Sequence, residues 1–195
     1  MLITETITDF SKLASEQKKC FFKKIWIFDQ QIFPNSSVEE IYNFVHDVDA
    51  VSVKVIHYYH EGKLIGQNVL PILKLSLDGK PIFVLSSRAG ILPAYRSGHI
   101  TLNSAIRVVL NHQLRHLTIP LWFVTTVIQP KVYTIFASRS HNFFPRAERQ
   151  TPQDYLQVLN VVQQRQHEVQ KRREDIFVHP VVMPKTTLNQ LMCLR

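Results

Sequence analysis

Residues 86–101 read Ser-Ser-Arg-Ala-Gly-Ile-Leu-Pro-Ala-Tyr-Arg-Ser-Gly-His-Ile-Thr and lead directly into an amphipathic run. An apolar stretch that begins at Ile82 and continues through Ile91 and Leu92 meets a Pro-x-x-Arg-x-Gly turn at Pro93, Arg96 and Gly98. The first N–H groups of a helix have no internal partner, and the helix dipole favours negative charge there. Arg96 adds a fork of donors matched to phosphate oxygens. The chemistry on offer is the capture of a phosphorylated ligand.

Such a turn needs a strand before it and a helix after it. Val51, Val53 and Val55 alternate with Ser52, Lys54 and Ile56 and predict a strand running into His57-Tyr58-Tyr59. Glu61-Gly62-Lys63 and Asp78-Gly79 are hairpin signals, so residues 64–77 and 81–92 form two further antiparallel strands. Leu102, Ala105, Ile106, Val109, Leu110 and Leu114 then share one helix face, ending near His116. Residues 121–128 are an apolar, β-branched run that reads as a strand buried on both faces and parallel to a neighbour.

Upstream, Phe21, Phe22, Ile25, Trp26, Ile27 and Phe33 fit one or two helices. Ser36 and Glu39 have the spacing of a capping box for a helix reaching about His46. A strand before these helices is hard to find, and residues 1–6 are the segment left for it. Downstream, Pro130 opens a short helix carrying Val132, Tyr133, Phe136 and Ala137. Residues 142–146 read as a short extended piece. Thr151 caps, and Pro152 starts, a helix expected to run towards Glu174. Residues 176–182 read as a final strand. The chain is expected to form one domain over residues 1–182, with a disordered tail over 183–195.

The 195 residues suffice for a sizeable core, and 45% hydrophobic with 19% charged residues is an ordinary globular composition. No window holds the roughly 20 apolar residues of a membrane span, and the N-terminus lacks the pattern of a secretory signal. Two distant cysteines, Cys20 and Cys193, give no disulfide framework, and nine scattered histidines lack metal-ligand spacing. A cytoplasmic protein without a metal is expected. The net charge of +8 fits a nucleic-acid surface, an anionic membrane surface or an acidic small ligand. It reads as dispersed, with clusters at Lys18-Lys19, Lys23-Lys24 and Lys171-Arg172-Arg173. No nucleic-acid-binding signature accompanies it.

The order β-β-β-α-β-α around the Arg96 turn resembles the acyl-CoA-binding core of the GNAT superfamily of N-acetyltransferases. Their signature, Arg/Gln-x-x-Gly-x-Gly/Ala, falls on Arg96, Ser97, Gly98, His99, Ile100 and Thr101, with the glycine one position early at Gly98. The resemblance covers residues 50–146. It implies an α/β (α+β type) fold: a mixed central sheet with an antiparallel meander, a splayed parallel pair made by the fourth and fifth strands, and flanking helices.

The resemblance also implies acetyl-CoA, or another acyl-CoA, as co-substrate. Its pantetheine arm would bond the backbone of Ile91 and Leu92, and its pyrophosphate would lie against Arg96 and the backbone of residues 97–101. Tyr133, a few residues past the fifth strand, is the candidate proton donor for the departing thiolate, and the Ser138, Arg139 and Ser140 stretch would lie near the CoA entrance. A base is harder to name. Residues 81–92 contain no acid, Arg88 stands where a carboxylate would be useful, and His57 and His99 are alternatives. No nucleophile constellation points to an acyl-enzyme. The expected activity is direct acyl transfer to an amine acceptor, by a monomer or homodimer. The alternative is a catalytically silent module of the same shape that binds CoA or a protein partner.

Overall fold

The computed structural model describes residues 2–96, 100–127, 130–165, 170–173 and 176–178. By its internal contacts the chain divides into two compact units, Met1–Thr125 and Thr126–Arg195. Each is described by itself.

In the first unit, a strand does precede the helices. β1 (Thr4–Asp9) pairs antiparallel with β2 (Ala50–His60). A short 3-10 turn, then α1 (Ser15–Ile32) and α2 (Val38–Val45), lie between them in sequence. β2 folds back on β3 (Lys63–Leu77), and β3 on β4 (Lys80–Leu85). Glu61 and Gly62 have φ of 49° and 75°, Asp78 and Gly79 of 49° and 76°. Two successive left-handed residues are what a two-residue hairpin turn matching the strand twist requires. α3 (Ile100–Gln113) then crosses over to β6 (Leu121–Phe123), which runs parallel to β4.

β5 (Arg88–Ile91) continues the course of β4. Ile72 faces Leu85 and Val69 faces Arg88 in one unbroken register along β3. The six-stranded sheet is therefore mixed, and β4 with β5 forms its fourth strand. Both sheet faces are covered. Ile56, Tyr58, Leu70, Ile72, Phe83 and Leu85 meet Ala105 and Val108 of α3 on one side. Val53, Val55 and Val69 meet Ile25 of α1 and Ile41 and Val45 of α2 on the other. Alternation along β2 sorts the two sets.

Several sequence expectations are corrected here. The cap of α2 is Ser37, whose Oγ accepts from the Glu40 N–H at 3.0 Å. Ser36, one residue earlier, turns instead to α1. β6 holds three residues rather than eight and is half-buried, with Phe123 exposed. Its short pairing explains this: beyond Phe123 the chain parts from β5 instead of tracking it.

In the second unit, α4 (Pro130–Arg139) starts at the proline as expected. α5 (Gln153–Gln163) begins one residue after Pro152, so that Pro152 rather than Thr151 holds the cap position, and Thr151 is buried. The helix stops eleven residues short of the expected end near Glu174. β7 (Gln170–Arg173) follows and pairs antiparallel with β8 (Ile176–Val178). The Arg146 guanidinium donates to the carbonyls of Ala137, Ser140 and Phe143 and so closes the end of α4 against the following loop. The expected tail over 183–195 lies outside the described residues.

Candidate functional site: the open edge of β5

Parity along the fourth strand decides which backbone groups are free. The Ser86 N–H donates to Pro71 O at 3.1 Å and the Leu92 N–H to Ile65 O at 2.9 Å. Even-numbered residues of this strand thus turn their N–H and C=O towards β3. Odd-numbered residues turn theirs to the opposite edge. At the β6 end that edge is occupied: Phe83 N–H donates to Pro120 O, and Leu85 O accepts from Val124 N–H, both at 2.9 Å. Ser87 O accepts from Thr125 Oγ1 at 3.1 Å. There the pairing ends. β5 pairs with β3 alone, so the outward groups of Ala89 and the N–H of Ile91 meet no strand among the described residues.

This places the expected pantetheine contacts with one correction. Ile91 faces the open edge, whereas the Leu92 amide is committed to Ile65. Ala89, which sequence reading passed over, takes its place. Strand parity was the signal, but it could be read only with the pairing to β3 in hand. Ile91 O accepts from Arg96 Nε at 2.9 Å, which folds the turn back onto the strand end. Arg96 is otherwise exposed. Ile100 and Thr101 form the first turn of α3. Ser97, Gly98 and His99 lie outside the described residues.

On the α1 side, β5 is locked rather than open. Arg88 Nε and Nη2 donate to the two carboxylate oxygens of Asp29 at 2.7 and 2.8 Å, and Nη1 to Glu40 Oε1 at 2.7 Å. The Phe33 ring lies 4.5 Å from the guanidinium carbon. Burial works against the Arg88 charge, but the hydrogen bonds and charge of Asp29, then those of Glu40, outweigh it and raise its pKa further. Ser36 Oγ donates to Asp29 Oδ2 at 3.0 Å. Two residues on, Gly90 lets α1 approach: a Cβ there would sit 2.4 Å from Ile32 Cγ2. The acids missing from the fourth strand are thus supplied by α1 and α2, already paired. Sequence reading missed Asp29, yet its position among Ile25, Phe28 and Ile32 on a helix stripe marks a charge that must be buried with a partner.

The base candidates separate. His57 is buried between α1 and the sheet, its Nε2 3.2 Å from Gln67 Oε1, while Gln67 Nε2 donates to Ile25 O at 3.4 Å. Desolvation, then the nearby Lys24 charge, lower its pKa to about 4 against the lesser pull of Gln67. It is a neutral strut in the core, and the geometry gives it no path to the open edge. Tyr133 sits half-buried on α4 of the second unit; its hydroxyl donates to Pro145 O at 2.8 Å and its ring lies 5.6 Å from that of Phe143. Among the described residues no group of three His, Cys, Asp or Glu side chains is arranged to hold a metal.

The meander, the α3 crossover and the parallel fourth and fifth strands that part at β5 give a mixed α/β fold with the strand order that the resemblance to the GNAT superfamily implies. No family model matches the chain, and no curated protein matches its sequence. Solved structures similar to it are acetyltransferases in two of the following three cases. An aminoglycoside N-acetyltransferase in complex with CoA is 11% identical, over 78% of this chain and 95% of that one, with a TM-score of 0.49. A ribosomal-protein-alanine N-acetyltransferase from Brucella melitensis is 9% identical, over 77% and 100%, at 0.47. An integron cassette protein from the mobile metagenome of V. cholerae is 14% identical, over 78% and 92%, at 0.46.

Proposed function

We propose that this protein binds an acyl-CoA along the open edge of β5 and transfers its acyl group, acetyl in the simplest case, directly to an amine. One observation carries the reading: Ala89 and Ile91 present backbone groups to an edge that β6 has vacated. A buried or half-buried backbone group left unpaired is costly, so such an edge is kept for a ligand with amides of its own. Pantetheine is that kind of ligand. Arg96, at the end of the strand, and the first turn of α3, with residues 97–99 between them, then receive the pyrophosphate.

The transfer needs the amine held against the thioester carbonyl and a proton delivered to the leaving sulfur. Tyr133 is proposed as that donor. Asp29 and Glu40 are engaged by Arg88, so the reading takes the amine to shed its proton to water rather than to a side chain of β5.

Isothermal titration with acetyl-CoA tests this. Saturable binding is expected, weakened about tenfold by Arg96→Ala, which removes one charged contact worth about 1.5–3 kcal/mol or part of it. Gly98→Asp, placing a carboxylate beside the phosphates, should weaken it more. Tyr133→Phe should leave binding unchanged and slow release of free CoA thiol in the presence of amines. Absence of binding to acetyl-CoA and to longer acyl-CoAs refutes the proposal. Binding without turnover for any amine leaves the silent CoA-binding module.

A further inference from the structure

Ile106, Leu110, Leu114 and Leu117 follow one another along the outer side of α3 and the turn after it, and they are 47%, 55%, 70% and 74% exposed. The Leu114 N–H donates to Leu110 O at 2.9 Å, so the row continues past the formal end of the helix. The inner side of the same helix, Ser104, Ala105 and Val108, is the one spent on the sheet. Single exposed leucines are ordinary on a protein surface; a contiguous row of four aliphatic side chains marks a surface that meets something.

Charge says what. Residues 79–147 contain eight Lys and Arg and not one Asp or Glu. The rest of the chain carries equal numbers of each sign, so this stretch supplies the whole of the +8. Of these eight, Arg88 and Arg146 are already ion-paired to Asp29, Glu40 and Glu148, and Arg107 and Arg115 are the two that α3 and the turn after it carry. Exposed polar residues flanking the apolar row are Asn103, Arg107, Asn111 and Arg115. Arg107 pairs with Glu5 of β1; α3 itself holds no acid.

We propose that the outer face of α3 docks on an anionic lipid surface. An aliphatic row flanked by arginines is the pattern of a helix lying in the plane of a membrane interface, its apolar side in the acyl boundary and its cations among the phosphates. Among the described residues no helix is long and apolar enough to cross a membrane, and this docking requires none. A second copy is the poorer occupant. Pairing α3 with itself about a two-fold axis would set Arg107 and Arg115 of both copies around one seam, with Glu5 as the acid beside it. The proposal does not depend on acyl-CoA binding.

The test is co-sedimentation of the full chain with phosphatidylcholine vesicles and with vesicles of equimolar phosphatidylcholine and phosphatidylserine. Binding to the anionic vesicles is expected to be at least about tenfold stronger and to fall with added salt. Arg115→Glu, a change of two charge units, should weaken it at least about tenfold, and the double variant Leu110→Asp/Leu114→Asp should abolish it. Both variants change exposed side chains, and an unaltered melting temperature verifies that they fold. Equal binding to the two vesicle types, no binding to either, or binding that survives the double variant overturns the proposal. So does a dimer, seen by light scattering without lipid, that the double variant dissolves; the face then belongs to a second copy.

Discussion

Replacing Arg88 by Met should destabilise the first unit by about 3 kcal/mol. Methionine keeps the apolar contact with Phe33 but removes all three charged bonds. The Asp29 side chain is 1% exposed, so the variant leaves a carboxylate buried against no cation. Breaking a buried pair in this way costs about 3–5 kcal/mol. The bond from Ser36 Oγ persists and places the cost at the lower end. Glu40 is 37% exposed, is screened, and adds roughly 0.5 kcal/mol or less. A unit ending at Thr125 has a melting entropy of about 0.26 kcal/mol per kelvin, so the loss converts to a fall in Tm of roughly 12 °C. Urea unfolding followed by tryptophan fluorescence and far-UV circular dichroism measures it. Adding Asp29→Asn to Arg88→Met removes the orphaned charge and should recover at least about 1 kcal/mol. A loss below about 1 kcal/mol for the single variant, or no recovery in the double, would refute the argument that this pair is a buried lock.

Gly90→Ala should cost about 1–3 kcal/mol, because its Cβ would overlap Ile32 Cγ2, and Ile32→Ala in the same chain should return part of it. Denaturant titration of the single and double variants checks this. His57, held near pKa 4 in the folded protein against 6.5 unfolded, contributes stability that is full above pH 6.5 and is lost as pH falls towards 4. The loss is up to about 3 kcal/mol. His57→Phe should remove this portion of the pH dependence while lowering stability at neutral pH, since Gln67 loses its partner; an unchanged slope would contradict it. Ala89→Pro deletes an outward N–H and no bond to β3, so acetyl-CoA affinity should fall about tenfold with Tm nearly unchanged. Gly90→Pro, one residue on, breaks the ladder to β3, sets a Cβ against Ile32, and should lower Tm instead, by more than Gly90→Ala does.

Most of the fold could be read from local chemistry. Glu61-Gly62 and Asp78-Gly79 turn the meander because only such residues accept two left-handed positions in succession, and the apolar periods on either side require no tertiary information. What was misread or hard to find depended on partners distant in sequence. Residues 121–128 are apolar enough for a long buried strand, but β6 is as short as its contact with β4 allows. β1 carries Thr and Glu and has little strand pattern of its own. It exists because β2 offers it an edge, with Asp9 meeting Lys54 at 2.7 Å across the pair. Ser36 and Ser37 are equally good caps by type; Asp29 decides between them by drawing Ser36 away.

The candidate site divides along the same line. Arg96 could be found because a basic turn between strand and helix announces its chemistry in residue types. Ala89 could not, since its contribution is an amide, and nothing in an alanine says which way its amide faces. Only the bond from Leu92 to Ile65 fixes the parity of the whole strand. The same parity sets Arg88 and Gly90 together on the α1 side, one locking the helix electrostatically and the other admitting it sterically. Alternation along four residues therefore separates two tasks: even positions hold α1 and β3 in place, and odd positions are left to meet a ligand. The two predictions at positions 89 and 90 put this separation to the test within a single pair of neighbouring residues. If Ala89→Pro lowers Tm as far as Gly90→Pro does, the edge is not open and the ligand site must be sought elsewhere in the chain.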